Sequence, residues 1–233
     1  VDHMPRVLPA ALGAVETTVL RQAGAYASLA AGGKEVIPTL VDTVQDRDGH
    51  VIWRAPGLVC APCDDPARLP DIQDQRAQIA DPQSTFQLVT MMQGVVQRGT
   101  GARAGARLDR AIAGKTGTSQ DFNDAWFVGF TPDLVAAVWM GFDNPQSLGE
   151  GETGGNLSAP IWHDFMAVAL QGRPNLTFPV PDGVTLARWD SGFGMVTDAF
   201  KPDQVPGAST SFGGDAAAEG GAPGVDTNLG GLY

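Results

Sequence analysis

The sequence predicts an α+β fold, an antiparallel sheet with helices packed on it. Two observations carry this. Three β-prone segments, about 111–119, 124–131 and 134–142, follow one another with only turns between them. Thr131-Pro132-Asp133 is so short a link that the last two must form an antiparallel hairpin. Around these segments lie stretches whose apolar residues recur at helical spacing.

Residues 17–31 read as a helix, with Thr17 or Thr18 as cap, Leu20, Ala23, Ala27 and Ala30 on one face, and Gly32-Gly33 as its stop. Residues 39–54 read as a hairpin, because Leu40, Val44, Val51, Ile52 and Trp53 flank the turn Asp46-Arg47-Asp48-Gly49. Residues 55–80 read as loop, with prolines at 56, 62, 66 and 70 and both cysteines. A second helix starts at Asp81-Pro82, a capping residue followed by proline at the first helical position, and stops at Gly99. Phe86, Val89, Met92 and Val96 give it an apolar stripe. After the three strands, Ser158 and Pro160 open a last helix with Ile161, Phe165 and Ala169 as the expected core face. The expected organisation is one domain over 1–178, a proline-rich extension over 179–206, and a disordered tail over 207–233, rich in glycine, alanine and acid.

Fifteen basic against twenty-six acidic residues, a net charge of −11, argue against nucleic acid and anionic membrane as partners. The longest apolar run, Leu134 to Phe142, is strand-sized, and no signal peptide is visible. The chain opens on Val1 instead of methionine, which places its expected natural beginning elsewhere. Cys60 and Cys63 form one C-x-x-C in a proline-rich loop. A local disulfide is favoured there over two free thiols, and over metal or redox chemistry. No metal site and no cofactor are expected, because His3, His50 and His163 show no ligand spacing.

The chemistry is concentrated in Ala113-Gly114-Lys115-Thr116-Gly117-Thr118-Ser119. Gly114-Lys115-Thr116 looks like the end of a P-loop, but the first glycine of that pattern would fall on Asp109, and strand rather than helix follows. In a strand Thr116 and Thr118 share a face, while Gly117 leaves a notch. A peptide pairing with such an edge gains main-chain hydrogen bonds, with hydroxyls and an ammonium at its carboxylate end. Strict alternation sets Lys115 on the opposite face, so the convergence of all three side chains does not follow from spacing. A plain exposed strand with one solvated lysine is the competing reading.

The wider context favours the binding edge. Gly94-Val95-Val96-Gln97-Arg98-Gly99-Thr100-Gly101, Ile112 to Thr118, Asp124-Ala125-Trp126-Phe127-Val128-Gly129-Phe130-Thr131-Pro132, Gly154-Gly155 and Ala159-Pro160-Ile161-Trp162 occur in that order. Together with Ala11-Leu12-Gly13, Ala25-Tyr26-Ala27 and Gly32-Gly33, they resemble the C-terminal part of the transpeptidase domain of class A penicillin-binding proteins. The resemblance covers about residues 5–172. It implies an incomplete penicillin-binding transpeptidase / β-lactamase-like fold. It also implies acyl transfer from D-Ala-D-Ala stem peptides of peptidoglycan through a serine acyl-enzyme, and acylation by β-lactams. By the same resemblance Lys115 and Thr116 bind the terminal carboxylate, and Gly117 admits the substrate backbone. Thr118 gives an oxyanion N–H and a carboxylate-binding hydroxyl. The catalytic residues carried over are Lys115 and Thr118.

The departure is large: no serine is followed by lysine three places on or by asparagine two places on, so the nucleophile motifs S-x-x-K and S-x-N are missing. The chain alone is expected to be inactive. Its expected partners are the upstream half of the transpeptidase domain, and a glycosyltransferase domain with a membrane anchor that places it on the extracytoplasmic face. A disulfide would suit that compartment. A non-catalytic module binding peptide or cell wall is the alternative, and a β-lactamase or carboxypeptidase fits the later motifs less well. Trp126, Trp139 and Trp162 are expected to pack the sheet on the last helix. Asp121, Asn123 and Asp124 are read as turn formers, and His163 as structural or exposed.

Overall fold

Helix α1 (Val19–Ala30) starts as the sequence implies, with the Thr18 side chain accepting the Arg21 N–H at 3.2 Å. The protein is seen here as a computed structural model that describes residues 6–13, 15–61, 67, 69, 71–192 and 194–206. The face that α1 buries is not the expected one: Gly24 and Ser28 are buried, whereas Leu20 is 61% exposed. The following chain folds back over that side. Pro38 comes so close that a Cβ on Gly24 would stand 2.8 Å from its Cγ, and the Ser28 hydroxyl accepts the Val36 N–H at 2.9 Å.

Strands β1 (Thr43–Gln45) and β2 (Val51–Arg54) form the expected hairpin. The Asp46 carboxylate accepts the N–H groups of Asp48 and His50, both at 2.9 Å, which holds its pKa below the usual range. Where loop was expected, β3 (Leu58–Ala61) pairs antiparallel with β4 (Asp71–Asp74). The prolines flank these strands instead of interrupting them, and Asp-Ile-Gln-Asp carries no alternation that would mark a strand. The expected Cys60–Cys63 bridge lies outside the described residues, because Cys63 is not among them. Asp74 receives Lys34 Nζ at 2.7 Å and Arg76 Nε at 2.9 Å, and these cations hold it far below the usual carboxylate range.

Helix α2 (Pro82–Arg98) is capped by Asp81, whose carboxylate accepts the Ser84 N–H at 2.9 Å, and it ends at Gly99. Phe86, Val89, Met92 and Val96 are all buried, as their spacing requires. A single-turn helix, α3 (Ala102–Gly105), leads to β5 (Ala113–Thr118), β6 (Asp124–Phe130) and β7 (Val135–Gly141). These three are antiparallel in the order β5-β6-β7, so β5 is a sheet edge. On one sheet face α4 (Ser158–Ala169) covers Phe127, with Val96 and Ile112 in the same cluster. On the other, Phe130 and Ala113 pack with Tyr26 of α1 and Phe86 and Val89 of α2.

Helix α4 is turned by one residue, about 100°, from the expected phase. Ala159, Trp162 and Met166 have no exposed surface, while Ile161 and Phe165 are 46% and 55% exposed. Both stripes are apolar in sequence, and the indole decides between them. Trp162 Nε1 donates to the carbonyls of Gly129 (3.3 Å) and Ala136 (3.1 Å), and its ring meets Phe127 edge-on at 5.3 Å. Strands β8 (Thr185–Asp190) and β9 (Met195–Phe200) form a further hairpin against α2. Gln87 Nε2 donates to the Ala199 carbonyl at 3.1 Å, and Lys201 Nζ meets Asp81 at 2.9 Å. The tail expected to be disordered, 207–233, lies outside the described residues.

Candidate functional site

Along β5 burial falls away from one end to the other. Ala113 and Gly114 are buried in the core, Thr116 and Gly117 are half-buried, and Lys115 and Thr118 are exposed. The register sets Lys115 opposite Val128 and Gly117 opposite Trp126, on the face that α1 approaches. Thr116 and Thr118 stand opposite Phe127 and Ala125, on the α4 face. The alternation expected from the sequence therefore holds, and the hydroxyls and the ammonium reach the open edge of the strand from opposite sides.

Those side chains line an open cleft of about 890 Å³. Its floor and walls include Thr18, the cap of α1, with Gln22 and Tyr26 from that helix, Trp126 and Val128 from β6, and Trp139 from β7. Burial raises the Tyr26 pKa above its ordinary value, and a hydrogen bond from Gln22 opposes this more weakly. Lys115 Nζ donates to the Thr116 carbonyl at 2.9 Å. Among the described residues it makes no ion pair, so its charge is available to an anion. A Cβ on Gly117 would lie 3.1 Å from Trp126 Cβ, so only glycine keeps this part of the wall uncrowded.

The two threonine hydroxyls already have neighbours. Thr116 Oγ1 lies 2.8 Å from Thr100 Oγ1, and Thr118 Oγ1 accepts the Gly154 N–H at 3.2 Å. Thr100 sits just beyond the end of α2 and escaped the sequence reading, although its Gly-Thr-Gly setting was part of the motif series. Two of the three tryptophans also depart from expectation. Of the three, Trp162 packs α4 onto the sheet; Trp126 and Trp139 pair across β6 and β7, ring centres 6.3 Å apart, as an aromatic wall of the cleft. Strand alternation separates Trp126 from Phe127 and explains this placement.

The acidic residues beside the strand are structural. Ser119 Oγ accepts the Asp124 N–H at 2.8 Å, and the Asp124 carboxylate accepts Trp139 Nε1 at 2.8 Å. Asp121 and Phe122 adopt left-handed backbone angles, φ 57° and 56°, in the tight turn between β5 and β6. His163 Nδ1 lies 3.1 Å from the Ala104 carbonyl and links α4 to α3. In the β1–β2 turn, Asp46, Asp48 and His50 bring potential ligand atoms within 4.8 Å of one another, which their sequence spacing did not suggest. All three are exposed, and the hydrogen bonds of the β1–β2 turn account for the cluster.

Comparison with known proteins places the chain in a family. The family model for the penicillin binding protein transpeptidase domain matches residues 6–167. Penicillin-binding protein 1A of Rickettsia conorii is 39% identical over 212 residues, covering 86% of this chain but 27% of that protein. The Neisseria meningitidis protein of the same name is 37% identical over 239 residues, covering 98% of this chain and 28% of its own length. The chain thus spans about a quarter of the curated relatives it matches. Among solved structures, PonA1 of Mycobacterium tuberculosis in complex with penicillin V superposes with a TM-score of 0.58 at 30% identity, over 73% of this chain and 43% of that one. Penicillin-binding protein 1A of Haemophilus influenzae shares the fold, with a TM-score of 0.72 at 24% identity over 91% of this chain and 35% of that one. The motif resemblance and the α+β class both hold, and the chain belongs to the penicillin-binding protein transpeptidase domain family.

Proposed function

We propose that this chain forms the carboxylate-binding wall of a serine D,D-transpeptidase site that cross-links peptidoglycan stem peptides. The observation that carries this is the open edge of β5, where an ammonium with no ion-pair partner among the described residues and two hydroxyls flank the Gly117 notch over a cleft of about 890 Å³. An extended peptide pairing with that edge presents its terminal carboxylate to Lys115, Thr116 and Thr118.

The reaction needs a serine that none of the Ser-containing segments here provides in S-x-x-K form. That serine, from the upstream half of the domain, attacks the carbonyl carbon of the penultimate D-alanine. The bond to the terminal D-alanine nitrogen breaks, and the proton goes to the departing amine. The amine of a neighbouring stem then attacks the ester, forming the cross-link and returning the serine. Within this chain, Lys115 and the hydroxyls fix the carboxylate, and the Thr118 N–H donates to the carbonyl oxygen as negative charge develops on it. β-Lactams enter as mimics of the dipeptide and remain as acyl-serine. The site works outside the cytoplasmic membrane, where stem peptides are joined, beside a glycosyltransferase domain of the same protein.

The test is a fluorescent penicillin mixed with the protein expressed from its complete reading frame. A covalent adduct on serine is expected there, and none on the 233-residue chain alone. An adduct on the chain alone, or none on the complete protein, would contradict the proposal. The second of those outcomes would favour a non-catalytic peptide-binding module.

A further inference from the structure

The hydroxyls of β5 are held from behind by groups outside the K-T-G strand. Thr100 places its Oγ1 2.8 Å from Thr116 Oγ1. The loop before α4 threads Gly154 and Gly155 into the same region. A Cβ on Gly155 would stand 2.5 Å from the Thr100 carbonyl, and one on Gly154 would stand 2.6 Å from the Gly117 carbonyl. From this position the Gly154 N–H donates to Thr118 Oγ1.

A threonine hydroxyl has one hydrogen and two acceptor lone pairs. An amide N–H can only donate, so Thr118 accepts from Gly154 and keeps its hydrogen for a further acceptor. In the Thr100–Thr116 pair either oxygen can be the donor. A carboxylate at the strand edge can only accept. It therefore selects the arrangement in which Thr116 donates outward and Thr100 donates to Thr116.

We propose that Thr100 is a positioning residue for anion recognition, setting Thr116 to donate to the substrate carboxylate without touching the substrate itself. The proposal rests on the carboxylate-binding reading of β5. Thr116 is then the node of the edge: its carbonyl accepts from Lys115 Nζ at 2.9 Å, and its hydroxyl accepts from Thr100. A chain of hydrogen bonds ending on a charged acceptor is stronger than its neutral links. Thr100 is itself exposed, so removing its hydroxyl leaves the core intact.

The test is penicillin acylation of the complete protein, with rate followed against concentration to separate the binding constant from the limiting acylation rate. Thr100→Val should weaken binding about threefold to tenfold, the weight of one hydrogen bond, with the limiting rate and melting temperature unchanged. Thr100→Ser should restore wild-type binding. In a Thr116→Val background, Thr100→Val should cost nothing further. Unchanged binding in Thr100→Val, or a loss that persists without the Thr116 hydroxyl, would overturn the proposal. A wild-type protein that takes no penicillin would defeat the underlying functional reading, and a Thr100 effect cannot imitate that result.

Discussion

The backbone N–H of Gly154 donates to the hydroxyl of Thr118 at 3.2 Å, joining the loop before α4 to the end of β5. The approach is so close that a Cβ on Gly154 would collide with the Trp126 carbonyl and lie 2.6 Å from that of Gly117. Backbone carbonyls in a sheet cannot swing aside as a flexible side chain can. Gly154→Ala should therefore destabilise the protein by about 1–3 kcal/mol, as overpacking does, and weaken penicillin uptake with it. Denaturant unfolding of the variant against wild type reads the first effect. An unchanged midpoint would mean that the loop yields.

The phase of α4 gives a second expectation. Trp162 has no exposed surface and two hydrogen bonds from its indole nitrogen, whereas Phe165 is 55% exposed. Trp162→Ala should cost about 3–5 kcal/mol, typical of a buried aromatic. Phe165→Ala in the 233-residue chain should stay within about 0.5 kcal/mol. Equal losses would restore the phase read from the sequence.

A third expectation concerns pH. The Lys201 ammonium and the Ser84 N–H and hydroxyl hold the Asp81 carboxyl at about 2. Because the folded value is lowered, its contribution is complete above the unfolded carboxylate value of about 4. It is lost as pH falls from there to about 2. Asp81→Asn should therefore loosen the contact between α2 and β9 at neutral pH. The difference from wild type, read by amide exchange in β9, should shrink through that window. A difference that stays constant to pH 2 would show that the Asp81 charge is not the cause.

Much of the fold was legible because helix caps and turns are local chemistry. Asp81-Pro82, Thr18 and Thr131-Pro132-Asp133 mark boundaries that the structure keeps. The α2 stripe was legible because Phe86, Val89, Met92 and Val96 repeat at helical spacing behind a clear cap, although Leu88 and Met91 leave apolar surface exposed on another face. Helix α4 has two apolar stripes, and the choice between them depends on which one meets the Gly129 notch in β6, a tertiary fact that periodicity does not carry. The β3–β4 hairpin was missed because its pairing joins segments separated by prolines, and one of its strands is mostly acid and amide. At the site, the Lys-Thr-Gly-Thr segment could be read as an anion-binding edge, and alternation correctly divided its side chains between two faces. Thr100 and the tryptophan wall could not be placed, since Thr100 meets Thr116, and the tryptophans line the cleft, only through tertiary packing.

Lys115 is exposed and makes no ion pair among the described residues, so Lys115→Ala should leave stability within about 0.5 kcal/mol of wild type. Its effect should fall on ligands that carry a carboxylate. The most direct measurement compares acylation of the complete protein by a penicillin and by its methyl ester, in wild type and in Lys115→Ala. The wild type should prefer the acid, and Lys115→Ala should slow acylation by the acid about 10- to 100-fold, the range for a hydrogen bond to a charged group, with little change for the ester. Equal slowing of acid and ester, or no slowing of either, would contradict the assignment of Lys115 as the carboxylate-binding residue of β5.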